Sequence, residues 1–246
     1  MSVSKDVPDI ACPGLACVVP CFNAGARIRP VLEKTVPMAA HVIVVDDGCT
    51  DGSIETLSDL PVEYVVFPSN RGKGHALLAG YRTALSNPSI QAICCLDADG
   101  QHDPAEIPKL FEAFRRTEAS LLIGARVFDK AAVPWRSRFG NQVTAALTGW
   151  LLGHHLPDTQ CGFRILSRQF TEDVLASVRG GRYETEMEII IKALREGYRV
   201  ETAPIATIYE EANRSSHFRK LQDSFRIYFR LIRCIVRRHT PRRGVV

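Results

Sequence analysis

A chain of 246 residues is long enough for one large domain with a sizeable core. Its apolar fraction of 46%, charged fraction of 24% and net charge of +4 are ordinary for a globular protein. So small a net charge gives no argument for a nucleic-acid binder.

The segment MSVSKDVPDIACPG has no apolar core flanked by positive charge, so no signal peptide is expected. The longest apolar stretch, 143–152, is about half a membrane span, which argues against an integral membrane protein. The eight cysteines (Cys12, Cys17, Cys21, Cys49, Cys94, Cys95, Cys161, Cys234) make no CxxC pair and no zinc spacing with histidine. They read as free thiols in a reducing cytoplasm, with the adjacent pair inside an apolar run acting as small hydrophobes.

Taken in chain order, LACVVP (15–20), HVIVVDD (41–47), VEYVVF (62–67) and AICCLDAD (92–99) are nearly continuous apolar, β-branched runs. Such runs mark parallel strands covered on both faces. Helical patterns over 26–35, 53–60, 74–86 and 104–117 alternate with them, and SLLIGARV (120–127) reads as a fifth strand. The alternation predicts an α/β, doubly wound, mostly parallel sheet. Beyond it, 141–152 reads as a helix, 158–167 as a turn and strand, 183–196 as an amphipathic helix and 198–209 as one or two strands. The tail, 218–238, reads as a long basic helix.

In such sheets the functional crevice lies beyond the carboxyl ends of the strands. There the chain places PCFNAG, DDGCTDGS, PSNRGKG, DADGQHD and GAR, and four of these loops carry charge. Asp97 and Asp99, at one strand end, are suited to a hard divalent cation, with Gln101 or His102 completing the shell. Such a cation would neutralise a diphosphate leaving group. Asp103, before Pro104, reads as a helix cap. Asp46, Asp47 and Asp51 form a second acidic turn, suited to a base edge or ribose hydroxyls, although Asp51 would also serve as a cap. NRGKGHA (70–76), with Arg71 and Lys73, opens a helix as a candidate anion cradle.

VVPCFNAG, VVDDGCTDGS, NRGKGHAL, LDADGQHDP and GAR, in this order and spacing, resemble family 2 glycosyltransferases. Within that family the likeness is to polyprenyl-phosphate mannose and glucose synthases. It runs from about Leu15 to Tyr209, and DTQCGFR and YETEME resemble acceptor-side motifs of that subgroup. The resemblance implies a GT-A fold, a nucleotide-diphosphate sugar donor, Mg²⁺ or Mn²⁺, and inversion at the anomeric carbon. It further implies that Pro20, Asn23, Asp47 and Arg71 contact the nucleotide, with Asp46, Asp51 and Lys73 in the donor site. Asp97 would touch ribose or metal, Asp99 and Gln101 would ligate metal, and Arg126 and Arg164 would face phosphates. Two positions depart from the family pattern: Cys21 replaces an aromatic residue, and Ala24 replaces an acid.

The acceptor is left open between a hydroxyl, which wants a carboxylate base, and a phosphate, which wants cations. Glu184, Glu186 and Glu188 lie on one predicted helix, with Glu184 and Glu188 on a shared face. Together with Asp99 and Arg164, Glu184 and Glu186 are the expected catalytic groups. Arg164, Arg214 and His217 are candidate phosphate clamps. The tail from Phe218 sets apolar residues at helical spacing among nine Arg or Lys, as for a helix on an anionic membrane surface.

The expected organisation is an N-terminal segment 1–14, a transferase domain 15–212 and a basic amphipathic C-terminal extension 213–246. The domain would divide into a donor half, 15–127, and an acceptor half, 128–212. The expected activity is sugar transfer to a polyprenyl-phosphate or similar apolar acceptor, at the cytoplasmic face of the cell membrane. A soluble transferase acting on a hydroxyl-bearing small molecule and a non-catalytic nucleotide-sugar binder are the alternatives.

Overall fold

The computed structural model describes residues 10–126, 149 and 156–206, and the statements below concern these. β1 (Cys12–Cys21), β2 (Ala39–Asp46), β3 (Glu63–Val66) and β4 (Ala92–Cys95) are followed by β5 (Leu121–Arg126), β6 (Arg164–Ser167) and β7 (Val200–Ile205). They form one sheet of seven strands in the order β3-β2-β1-β4-β6-β5-β7. β6 is antiparallel to both its neighbours, β4 and β5, while the remaining pairs are parallel. The doubly wound, mostly parallel expectation holds.

The helices are α1 (Ile28–Thr35), α2 (Lys73–Ser86), α3 (Ile107–Thr117), α4 (Arg168–Ser177) and α5 (Glu184–Arg195). β1 and β2 run buried through Leu15–Val19 and Val42–Val45, which is why their sequences show no alternation. α2 reaches β1 and β2 closely because Gly80 has no side chain. A Cβ there would stand 2.3 Å from Val18 Cγ1. Gly74, the second residue of α2, meets α5 in the same way: its Cβ would lie 2.0 Å from Thr185 Oγ1. These two contacts tie the sheet, α2 and α5 into one packed unit.

Three elements differ from expectation. The helix over 53–60 is only a 3-10 turn, Glu55–Leu57. Asp51 holds the Ser53 backbone N–H and hydroxyl, a local alternative to helical bonding, and Pro61 follows at once. β4 stops at Cys95, so Asp97 and Asp99 stand in the turn beyond the strand. α4 was not foreseen; its signals are the Ser167 cap, accepting from Phe170 N at 3.2 Å, and buried Phe170 and Val174.

Cys94 and Cys95 are core, as expected, as is Cys17, and burial pushes the Cys95 thiol up to about 12. The Asp103 cap is present, accepting from Ala105 N at 3.3 Å. Among the described residues no helix is long and apolar enough to cross a membrane. The expected helices over 141–152 and 218–238 lie outside the described residues, apart from Gly149.

Candidate active site

The parallel register of β1 and β2 sets Cys21 beside Asp46, so the turns that follow these strands meet. Asn23, in a left-handed conformation with φ of 51°, accepts from Thr50 N at 2.8 Å. Asp51 accepts from Gly25 N at 2.8 Å, tying the second turn back to the first. Burial works to raise the Asp51 carboxyl, but Ser53 and the backbone donors together outweigh it and hold the carboxyl below its ordinary value. Asp46 accepts from Cys49 N at 2.7 Å within its own turn.

Asp47, expected to meet the nucleotide, is 3% exposed. Its oxygens accept from Arg71 N at 2.6 Å, Gly72 N at 2.9 Å and Asn70 Nδ2 at 2.9 Å. Burial raises its carboxyl overall, against these donors. Asp47 therefore builds the 70–72 loop, and any influence on a ligand passes through that loop. Arg71 remains exposed with its guanidinium 4.7 Å from the Phe67 ring centroid. Pro20, at the end of β1, pairs with Val45.

Lys73, the first residue of α2, is the hub of the site. Its ammonium lies 2.6 Å from Asp97 Oδ1 and 3.2 Å from Glu186 Oε1, and Arg164 Nη2 stands 4.0 Å from the same Glu186 oxygen. Burial alone would lower the Lys73 ammonium, but Asp97 and Glu186 outweigh it and push it well up. Burial likewise works to raise Asp97, yet Lys73 and His102 bring its carboxyl down on balance. Asp99 has no such partner. Burial and the neighbouring Asp97 charge push it up to about 6, and Gln101 N donates to its Oδ1 at 3.0 Å. Gly162 leaves the room for Asp97: a Cβ there would lie 2.4 Å from its Oδ2.

Arg164 was expected at a phosphate. It is 3% exposed, and its guanidinium donates to the carbonyls of Cys161 at 2.7 Å, Glu186 at 2.8 Å and Thr159 at 3.0 Å. This geometry makes Arg164 a strut fixing the 159–161 loop to α5. Arg126 is paired with buried Asp158 through two bonds of 2.6 and 3.1 Å. His102 turns inward, its ring centroid 5.5 Å from that of Phe163, and burial drops its imidazole to about 4. Glu184 Oε2 is buried without a hydrogen-bond partner at the start of α5. Arg214 and His217 lie outside the described residues.

Among the described residues no three His, Cys, Asp or Glu side chains converge as a metal cage. The donor set of Asp97, Asp99 and the Gln101 amide is nonetheless all oxygen, with one carboxylate lacking a cation partner. That fits Mg²⁺ or Mn²⁺, which take one or two carboxylates and fill the shell from substrate phosphates and water. A cavity of about 160 Å³ adjoins Asp99, lined also by Arg27, Lys34 and His102.

The sequence reading did not single out Asp158, Arg27 or Gly162. The pairing of Lys73 with Glu186 was also missed, because the two stand 113 residues apart.

The family model for glycosyl transferase family 2 matches residues 16–175. A UDP-N-acetylglucosamine–dolichyl-phosphate N-acetylglucosaminyltransferase of Methanococcus voltae is 25% identical over 87% of this chain and 93% of its own length. The polyprenol monophosphomannose synthase of Mycolicibacterium smegmatis is 28% identical over 76% of this chain and 75% of its own. In fold, the glucosyl-3-phosphoglycerate synthase of Mycobacterium tuberculosis, solved with Mn²⁺ and UDP, superposes with a TM-score of 0.70 at 18% identity. It covers 96% of this chain and 83% of that one. The sheet is that of the GT-A fold, and the chain belongs to glycosyl transferase family 2, as a glycosyltransferase similar to the polyprenyl-phosphate sugar synthases.

Proposed function

We propose that the protein moves a sugar from a nucleotide-diphosphate donor to a polyprenyl-phosphate acceptor, with inversion at the anomeric carbon. The observation that carries this reading is the Asp97–Lys73–Glu186–Arg164 chain of alternating charge, which joins the acidic turn after β4 to α5. Asp97, Asp99 and Gln101 would hold Mg²⁺ or Mn²⁺. Bound there, the cation would neutralise the diphosphate as it leaves.

This chain's own groups do the positioning. Lys73 fixes the rotamer of Asp97, Gly162 gives that carboxylate its space, and Arg164 holds the backbone of α5 at Glu186. Arg71 and the 70–72 loop, braced by Asp47, would face the nucleotide phosphates, and Asn23 and Pro20 its base. In the reaction an acceptor oxygen forms a bond to the anomeric carbon, the bond from that carbon to the diphosphate breaks, and the nucleoside diphosphate departs. A phosphate acceptor is already anionic and requires no base. The names of the two relatives above, each acting on a lipid phosphate or forming one, support that choice.

A hydroxyl acceptor is the second reading, favoured by the partnerless buried oxygen of Glu184, a placed carboxylate able to take a proton. One experiment separates the two. Anionic vesicles carrying either polyprenyl phosphate or the free polyprenol are incubated with the protein, Mn²⁺ and a panel of UDP- and GDP-sugars. Mass spectrometry should find a glycosylated lipid only in the phosphate vesicles; sugar on the free alcohol would reverse the assignment. The same vesicles test the basic tail by co-sedimentation. The full chain should pellet with them, and the triple variant Arg233→Glu, Arg237→Glu, Arg238→Glu should stay in the supernatant. Equal pelleting would remove the membrane-surface reading.

A further inference from the structure

We propose that Cys21 and Cys49 are a reversible dithiol–disulfide pair that switches the nucleotide end of the site, an inference resting on the reading of that end given above. Cys21 closes β1 and Cys49 lies in the turn after β2, from chain segments 28 residues apart. Their sulfurs stand 3.5 Å from each other. A disulfide requires about 2.05 Å, so closure asks for a shift of roughly 1.5 Å.

The pair differs from the other described thiols in access and in chemistry. Among the described cysteines Cys49 alone is not fully buried, so an oxidant meets this pair and not the core thiols. The Cys49 thiol donates to the Cys21 sulfur, and the Ala24 N–H adds to it. Against burial, these hold Cys21 below its ordinary value, while the same hydrogen bond and burial push the Cys49 thiol well up, so Cys21 is the nucleophile of the pair. By contrast burial pushes Cys12 up to about 11 and Cys161 to about 12.

The pair also sits where a small shift carries far. The Cys49 sulfur accepts the Asn23 N–H at 3.3 Å, and the next residue, Thr50, donates to Asn23 Oδ1 at 2.8 Å. Both contacts hold Asn23 in its left-handed conformation. Drawing Cys49 onto Cys21 removes the sulfur from Asn23 N–H and drags Thr50 with it. The turn that would receive the nucleotide then loses its brace.

The oxidant is a peroxide. Both S–H bonds and the O–O bond break, one S–S bond forms, and hydrogen peroxide leaves as two waters. A small dithiol reverses the change by thiol–disulfide exchange, taking up the disulfide itself.

The test treats the full-length protein with hydrogen peroxide, maps peptides by mass spectrometry and titrates UDP and GDP. A linked Cys21–Cys49 peptide should appear, lighter by two hydrogens than its separate parts. Nucleotide affinity should fall about tenfold, the size expected for one lost hydrogen bond and a loosened turn. Dithiothreitol should restore it. Cys21→Ser, which leaves the Cys49 sulfur on the Asn23 N–H, should give no linked peptide, and its nucleotide affinity should be the same before and after peroxide. No linked peptide under excess peroxide overturns the proposal, as does a linked peptide with unchanged affinity. A reduced protein that binds neither nucleotide overturns the underlying reading, and with it the switch; the peptide map records the thiol chemistry separately.

Discussion

Asp99→Ala is expected to lower kcat/KM about 10³-fold, as removal of a group that stabilises leaving-group charge does. Its effect on stability should have the opposite sign. Asp99 is a part-buried carboxylate raised to about 6, first by burial and then by the Asp97 charge, so the folded protein carries a desolvation cost and a repulsion that alanine relieves. Thermal unfolding of Asp99→Ala should therefore occur at or above the wild-type temperature. A structural carboxylate behaves otherwise: its loss lowers stability and activity together. Circular dichroism melts beside initial-rate assays distinguish the two, and retained activity in Asp99→Ala would remove it from the site.

Lys73→Ala should be costly on both counts. Lys73 is the shared counterion of Asp97 and Glu186, and its removal leaves part-buried Asp97 without its ion pair and buried Glu186 with Arg164 at 4.0 Å. Breaking a buried pair in this way costs about 3–5 kcal/mol. Adding Glu186→Ala to Lys73→Ala should recover part of that loss, because one stranded charge is gone. Urea denaturation of the two single variants and the double should then show coupling above about 1 kcal/mol. Additive losses would mean that the short Lys73–Glu186 distance carries no energy. Activity should be lost in all three, since Asp97 loses the cation that fixes its position.

The two largest effects fall on residues that the sequence exposes unequally. Asp99 is legible as a candidate: Asp-x-Asp after an apolar run, in an α/β alternation, points to a cation site beyond a strand end. Lys73 reads only as one cation in a glycine-rich turn, because its partners come from β4's far end and from α5. The sheet is legible in the same uneven way. β1, β2 and β4 announce themselves because burial on both faces writes continuous apolar runs. Neither the insertion of β6 between β4 and β5 nor the helix α4 leaves such a trace.

Polar residues mislead for a physical reason. An acid in a loop has the same sequence appearance whether it faces a ligand or satisfies backbone N–H groups. Asp47 and Arg164 are both taken up by backbone, Asp47 by the amides of Arg71 and Gly72 and Arg164 by three carbonyls. Asp51 is shared between Gly25 and Ser53. These bonds shape the loops around a ligand. In the turn after β4, Asp97, Asp99 and Gln101 are the candidates left to touch a cation.

That division is open to one direct measurement, calorimetric titration of the full-length protein with UDP- and GDP-sugars, with and without Mn²⁺. One nucleotide sugar should bind with measurable heat in Mn²⁺ and lose at least about tenfold in affinity, or 1.4 kcal/mol, when the metal is chelated. Binding of equal strength with and without the metal would contradict the assignment of Asp97, Asp99 and Gln101 as the cation-bearing centre of the site.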